Sequence, residues 1–378
     1  MTGLVRVPRS SPRHRTASLV SPRHPTVSAS RRFALCGLAF LSALLTGCGA
    51  SGLDGTHNNY LNRLSRPLAI AAQAPRETAQ LQAPRAEALR LDFEDSALDG
   101  LDFLKLKGCA LQTTIARRNS SLGRVAPPSQ RLLLDLAFLR DAPACSETLA
   151  ERDENRLATF IEQIARQKRD QLPRRIFNAT LGGLEYRDFW RGGAPRGSYP
   201  EDTSSAVITA LEQVAANAGR WLGGDFGADD RDFELALGTI AQGDGGELLW
   251  SLRRQAAWLE SANGVIERRL ERGDLCQAGM RPEAAPILRT VVSKYFIGEV
   301  QQSAAALAQR YHGLLPPITA LEALLRDVLP DPYVVWRTQR DTSLASARAA
   351  PATHVRRLQA LLGPCYAEFS PDNPAGAY

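Results

Sequence analysis

The chain has 378 residues and a net charge of +6, and that charge is unevenly placed. Residues 1–47 hold seven arginines and no acid; without them, 39 basic residues face 40 acidic ones. The excess belongs to the leader, so the body has no basic footprint for nucleic acid and no nucleic-acid partner is expected.

Within the leader, Arg31-Arg32 opens a run of mostly apolar residues from Phe33 to Thr46, which ends in Gly47-Cys48. Two cations, a short apolar core and small residues are the layout of a secretory signal. The run is too short to span a bilayer, which takes roughly 20 residues. Leu45-Thr46-Gly47-Cys48 resembles the lipobox of bacterial lipoproteins, in which the glycine–cysteine bond is cut and the cysteine carries lipid. The resemblance implies lipid attachment at Cys48 (palmitate among the acyl chains) and an anchor of several chains, which holds far more firmly than one. Gly49, where an aspartate would retain a lipoprotein at the inner membrane, implies sorting to the outer membrane with the body facing the periplasm.

Residues 48–58 are small and polar and read as a lipidated tether with His57 exposed, followed by a helical body over 59–366 and an extended tail over 367–378. Residues 59–70 give one or two helical turns before Pro67, and residues 71–90 are interrupted by Pro75 and Pro84. Asp99 to Arg118 reads as a helix capped by Asp99, with Leu101, Leu104, Leu111 and Ile115 near the helical period and Cys109 inside it. Asn119–Gly123 is a polar turn, and Pro128 opens a second helix that Asp141-Ala142-Pro143 ends just before Cys145. Glu147–Ile176 is the longest helical stretch, with Pro173 kinking or restarting it.

The glycine- and aromatic-rich segment from Phe177 to Pro200 reads as a packed loop. If the protein holds a ligand, the residues to inspect first are Asn178, Tyr186, Phe189, Trp190 and Tyr199, since binding residues gather on scaffolded loops. The alternative is that these rings fill a gap between helices. A sub-boundary is placed at 198–202. Further helices follow from Asp202 or Ser204 to Leu222, over 233–240, over 247–272, and at about 287–297, 299–314, 317–328, 342–350 and 352–362. Beta-branched residues are scarce and alternating runs nearly absent, so the fold class is all-α, an irregular multi-helix bundle.

Four cysteines remain after Cys48: Cys109, Cys145, Cys276 and Cys365. An even number in an oxidising compartment points to two disulfides, most economically Cys109–Cys145 and Cys276–Cys365. No close Cys-x-x-Cys pair and no zinc-like histidine spacing occurs, so no metal is expected, and no motif asks for a cofactor.

Chemistry is sparse. Gly223-Gly224-Asp225-Phe226 lacks the second acid of the cyclic-dinucleotide synthase signature it resembles and reads as a helix C-cap. Gly243-Asp244-Gly245-Gly246 lacks the lysine and hydroxyl of a phosphate loop and reads as a turn. His57, His312 and His354 follow no triad pattern. Glu185 and Asp188, three apart beside Tyr186 and Trp190, are the one acid pair with a route to glycan hydrolysis, which needs one of them buried. Arg117-Arg118 and Arg174-Arg175 are short basic pairs suited to an anionic surface.

Leu101-Asp102-Phe103-Leu104, Ala116 through Gly123, Pro127-Pro128-Ser129-Gln130-Arg131-Leu132-Leu133, Ala142–Cys145 and Phe177-Asn178-Ala179-Thr180 together resemble the DUF3080 family of gammaproteobacterial lipoprotein-like proteins, over most of residues 55–370. The resemblance implies location and names no catalytic residue. The leading expectation is therefore a non-catalytic envelope lipoprotein that binds an envelope protein or a cell-wall component. A hydrolase of peptidoglycan or another envelope glycan, acting through Glu185 and Asp188, is the alternative.

Overall fold

The structure, a computed structural model, describes residues 52–94, 98–200, 205–277 and 280–366. The leader, Cys48 and the tail from 367 lie outside the described residues. Among the described residues the fold is helical without a strand; one isolated bridge joins Gln277 and Met280. None of its helices is long and apolar enough to cross a membrane.

The helices are α1 (Leu53–Leu68), α2 (Ala86–Leu89), α3 (Gly100–Lys105), α4 (Ala110–Asn119), α5 (Ser121–Val125), α6 (Pro128–Glu151), α7 (Asn155–Ala179), α8 (Leu184–Phe189), α9 (Ala206–Leu222), α10 (Asp230–Ala241), α11 (Gly245–Leu270), α12 (Ala284–Val291), α13 (Gln301–Leu324) and α14 (Asp331–Leu362). A π-helix, Val292–Val300, joins α12 to α13 without a break. They enclose two apolar cores. The larger gathers α4, α6–α10, α13 and the first halves of α11 and α14, and it draws residues from both sides of 198–202. The smaller joins α1, the second half of α11, α12, the π-helix and the end of α14.

Helix α1 begins inside the segment expected to be tether, and His57 is buried rather than exposed. The reason is periodicity: His57, Tyr60, Leu61, Leu64 and Leu68 fall on one face. Asp54 in its first turn also meets Arg254 Nε and Trp258 Nε1, each at 2.6 Å. A compact polar unit links this core: Tyr60 donates to His354 Nε2 at 2.7 Å, and His354 Nδ1–H donates to Asn263 at 2.7 Å. Phe296 of the π-helix packs against both rings.

Several expected boundaries move. The Asp99–Arg118 helix divides because Gly108 takes φ +93°, which leaves Cys109 as the N-cap of α4. Asn119–Gly123 is not an open turn: Ser120 ends α4 and caps α5, accepting from Gly123 N at 3.0 Å. The stretch from Glu147 breaks at Asp153 (φ +61°), so α6 ends at Glu151 and α7 starts at Asn155. Conversely, helices run through Pro67, Pro143, Pro173, Pro316-Pro317 and Pro351. An interior proline costs about 3 kcal/mol or more. Buried leucines on both sides of Pro143, among them Leu139 and Leu149, offset that by hydrophobic burial.

The disulfides are Cys109–Cys145 and Cys276–Cys365. The first ties the start of α4 to α6. The second ties the loop after α11 to the residues after α14.

Two predictions follow the packing. Replacing Cys276 and Cys365 by serine should cost about 4.6 kcal/mol by the loop-closure argument, and the same change at Cys109 and Cys145, which closes the shorter loop, about 3.8 kcal/mol; denaturant titration reads both. Burial lowers the His354 pKa to about 3 and lowers that of His57. In the unfolded chain both rings titrate near 6.5, so the unfolded state binds more protons below that pH. Stability is then full above pH 6.5 and is lost as pH falls, for His354 by about 1.4 kcal/mol per pH unit down to about 3, with His57 adding a loss of the same sign. His354→Gln, which keeps a donor and an acceptor, should flatten that slope.

Candidate functional site

The glycine–aromatic segment folds inward. After α7, Gly182 N returns to the Phe177 carbonyl at 2.8 Å, and α8 turns Tyr186, Phe189 and Trp190 into the larger core. Glycine at 245 and 246 is what lets α11 start there: a Cβ would meet the Phe189 ring at 2.2 Å and Gly192 N at 2.4 Å. The Gly243–Gly246 run is thus a close approach of backbone to a ring and to the chain after Trp190.

Several polar groups of this segment have internal partners, whereas Trp190 Nε1 and Arg187 Nε are buried without a hydrogen bond. Asn178 exchanges two hydrogen bonds with the Leu91 backbone, at 2.7 and 3.0 Å. Arg340 grips Glu322 through two nitrogens at 2.9 and 3.1 Å, and it lies over the faces of Trp190 and Trp336. Tyr333 donates to Glu322 at 2.6 Å and Tyr186 sits 3.3 Å from Arg340 Nη1. Burial pushes the Tyr186 hydroxyl up to about 12. Tyr199 donates to Asp244 at 2.7 Å, and Arg310 clamps the same carboxylate at 2.8 and 2.5 Å while donating to Ser205.

The acid pair diverges. Glu185 lines a cleft described below, whereas Asp188 pairs with Arg191 at 2.8 Å and lines no part of it. His312 stands beside Arg348 at 3.5 Å, away from both acids in its contacts. Gly223-Gly224 caps α9, with Gly224 at φ +95° and Asp225 bound to Arg220 at 2.7 Å. Among the described residues no cluster of His, Cys, Asp and Glu is arranged to hold a metal.

Tyr199 and Asp244 also line an opening of about 570 Å³, and a further open region lies on the face built by α4, α5, α6 and α7. Asp135, buried on α6, receives Lys168 Nζ at 2.6 Å on one oxygen and Arg175 on the other, both cations coming from one side of α7. Arg175 also donates to Gln171 at 2.7 Å and stacks on Phe93. Two cavities flank this unit, with Arg131 and Asp135 lining both. The larger, about 480 Å³, carries Glu87, Asp92 and Glu185 as well as Arg90 and Arg175. The smaller, about 320 Å³, is lined among the described residues by Arg118, Arg124, Arg131, Lys168 and Asp135, with Thr114 and Asn119 adding polar groups. Burial lowers the Lys168 pKa, and the adjacent Asp135 carboxylate opposes that shift.

Two neighbouring sequence blocks, Arg118–Arg124 and Pro127–Leu132, meet the distant Asn178-Ala179 here. Asp135 and Lys168 are the residues that sequence reading passed over. The only local signal was that Lys168 is one of four lysines in an arginine-rich chain.

The described residues thus form a disulfide-stapled helical protein with paired buried ions and a cleft between α4, α5, α6 and α7. The chain belongs to the DUF3080 family, described as a protein of unknown function, whose model matches residues 57–369. No curated protein and no solved structure matches it.

Asp135→Asn should lower stability by about 3–5 kcal/mol, because it leaves the Arg175 and Lys168 charges without their buried counterion. Urea denaturation reads the loss. Arg124→Gln, at the exposed rim, should stay within roughly 0.5 kcal/mol of the parent.

Proposed function

We propose that this protein is exported, lipidated at Cys48 and held at the outer membrane with its helical body facing the periplasm, where it acts as a non-catalytic binding protein for an envelope component. The observation that carries the reading is the pairing of all four cysteines after Cys48 into two disulfides, which form and persist in oxidising compartments. The signal-like Arg31–Cys48 stretch supports it, and so does the weak case for catalysis, since Asp188 is tied to Arg191 and is absent from the cleft that Glu185 lines. The binding face in this reading is the α4–α7 cleft, where the blocks that first suggested the family converge.

Metabolic labelling with a palmitate analogue should mark the protein and fail in Cys48→Ser, with fractionation placing the labelled form in the outer membrane. A soluble, unlabelled cytoplasmic product sinks the proposal. Purified protein should leave peptidoglycan intact; degradation that disappears in Glu185→Gln would replace binding by hydrolysis.

A further inference from the structure

The chain leaves little length between the described body and the proposed anchor. Three residues separate Cys48 from Gly52, and α1 starts at Leu53. Four peptide units span at most about 14 Å, whatever path they take. A body lipidated at Cys48 is therefore held close against the bilayer, and a surface adjoining α1 must meet it. Helix α1 buries His57, Tyr60, Leu61, Leu64 and Leu68 and turns Asn58, Asn62, Arg63 and Arg66 outward. Its one acid, Asp54, is bound to Arg254. The π-helix packs beside α1 and extends this outer face. The Arg63 guanidinium lies 4.2 Å from the centre of the Tyr295 ring, and Lys294 Nζ lies 5.5 Å from it. Asn59 accepts from Arg63 Nε at 2.9 Å, which leaves both Nη groups for another acceptor. Arg63, Arg66 and Lys294 make no ion pair among the described residues. Glu299, half-buried, is the one acid of the π-helix, and Ile297 on the same helix is 38% exposed.

Resting on lipidation at Cys48, we infer that α1 and the π-helix lie along the bilayer surface, with Arg63, Arg66, Lys294 and Tyr295 among anionic phospholipid headgroups. Cations gain from a negative surface only within a Debye length, about 8 Å at physiological salt. Arg63 stands ten residues beyond Leu53, or about 15 Å along the helix axis. An upright α1 would carry these cations out of range; a flat one brings them into it. Tyrosine flanked by cations at headgroup level, with an exposed isoleucine nearby, is the chemistry of interfacial attachment. The free Nη pair of Arg63 suits two phosphate oxygens, and Lys294 adds a point charge. The rival surface is the 193–198 loop, whose Gly197 carbonyl stands beside Gly52. Its neighbouring ring, Tyr199, is turned inward onto Asp244, so that side offers the bilayer no aromatic anchor.

The test uses the lipidated protein purified from cells and reconstituted in vesicles of phosphatidylethanolamine with a minority of phosphatidylglycerol. A trace of phosphatidylglycerol carries a photoactivatable diazirine at its headgroup, and labelled peptides are mapped by mass spectrometry. The label should concentrate on residues 58–66 and 293–299, at least about fivefold above the rest of the body, and fall as salt rises. Arg63→Gln combined with Lys294→Gln should lower it by about fivefold or more, with melting temperature and palmitate labelling unchanged. Salt dependence in the parent protein reads the same contact without any substitution, should the double variant melt lower. A label concentrated on residues 193–198, spread evenly over the body, or insensitive to salt or to the substitutions overturns the assignment. Failure of the parent to take palmitate removes the anchor, and this inference with it. A palmitate-labelled protein whose photolabel falls elsewhere keeps the envelope reading and loses only this docking surface.

Discussion

One carboxylate, Glu322, governs how the larger core can be assembled. It is buried with Arg340, a residue 1% exposed, and neither ion would be tolerated there alone. Desolvating an ion in a protein interior costs several kcal/mol even after relaxation, and pairing with good geometry offsets this only if the remaining donors and acceptors are used. Tyr333, Tyr186 and Asp341 use them. Because the partners stand on α8, α13 and α14, the pair fixes the register of three elements at once, and Trp190 and Trp336 close over the guanidinium. Tyr186 and Trp190, the inward part of the aromatic segment, are organised by that requirement.

Charge balance alone does not decide where solvent enters. Asp244, matched by Arg310, still lines an opening together with Tyr199, and the larger cavity beside Asp135 holds acids and cations together. The Glu322–Arg340 pair is closed off because rings and helices pack over it.

Much of the fold was legible because apolar periodicity is a local signal. The faces of α6, α9 and α11, the all-helical class and the disulfide pairing all come from residues near one another in the chain or from cysteine parity. The prolines were misleading because a proline speaks only for its own backbone, while continuation of α6 past Pro143 is decided by the leucines around it. The tether boundary failed for a related reason: His57 and Asp54 look polar and exposed until Arg254, Trp258 and His354 arrive from two hundred residues and more away. The cleft was the least legible part. Arg118, the Arg131 and Asp135 pair, and Lys168 come from three helices, α4, α6 and α7, and a surface arginine and a cavity arginine are identical as letters. Only the family blocks hinted that those stretches belonged together.

The smaller core closes α1, the earliest described helix, against the far end of α14, the latest. During synthesis Tyr60 emerges nearly three hundred residues before His354, the ring to which it donates its hydroxyl proton. Until the C-terminal turns are made, the apolar stripe of α1 has only part of its cover, and Cys276 has no Cys365 to meet. This region is therefore completed only once the last turns of α14 are made, and a truncation that removes the last twenty described residues takes away the His354 partner of Tyr60 and the Cys365 partner of Cys276.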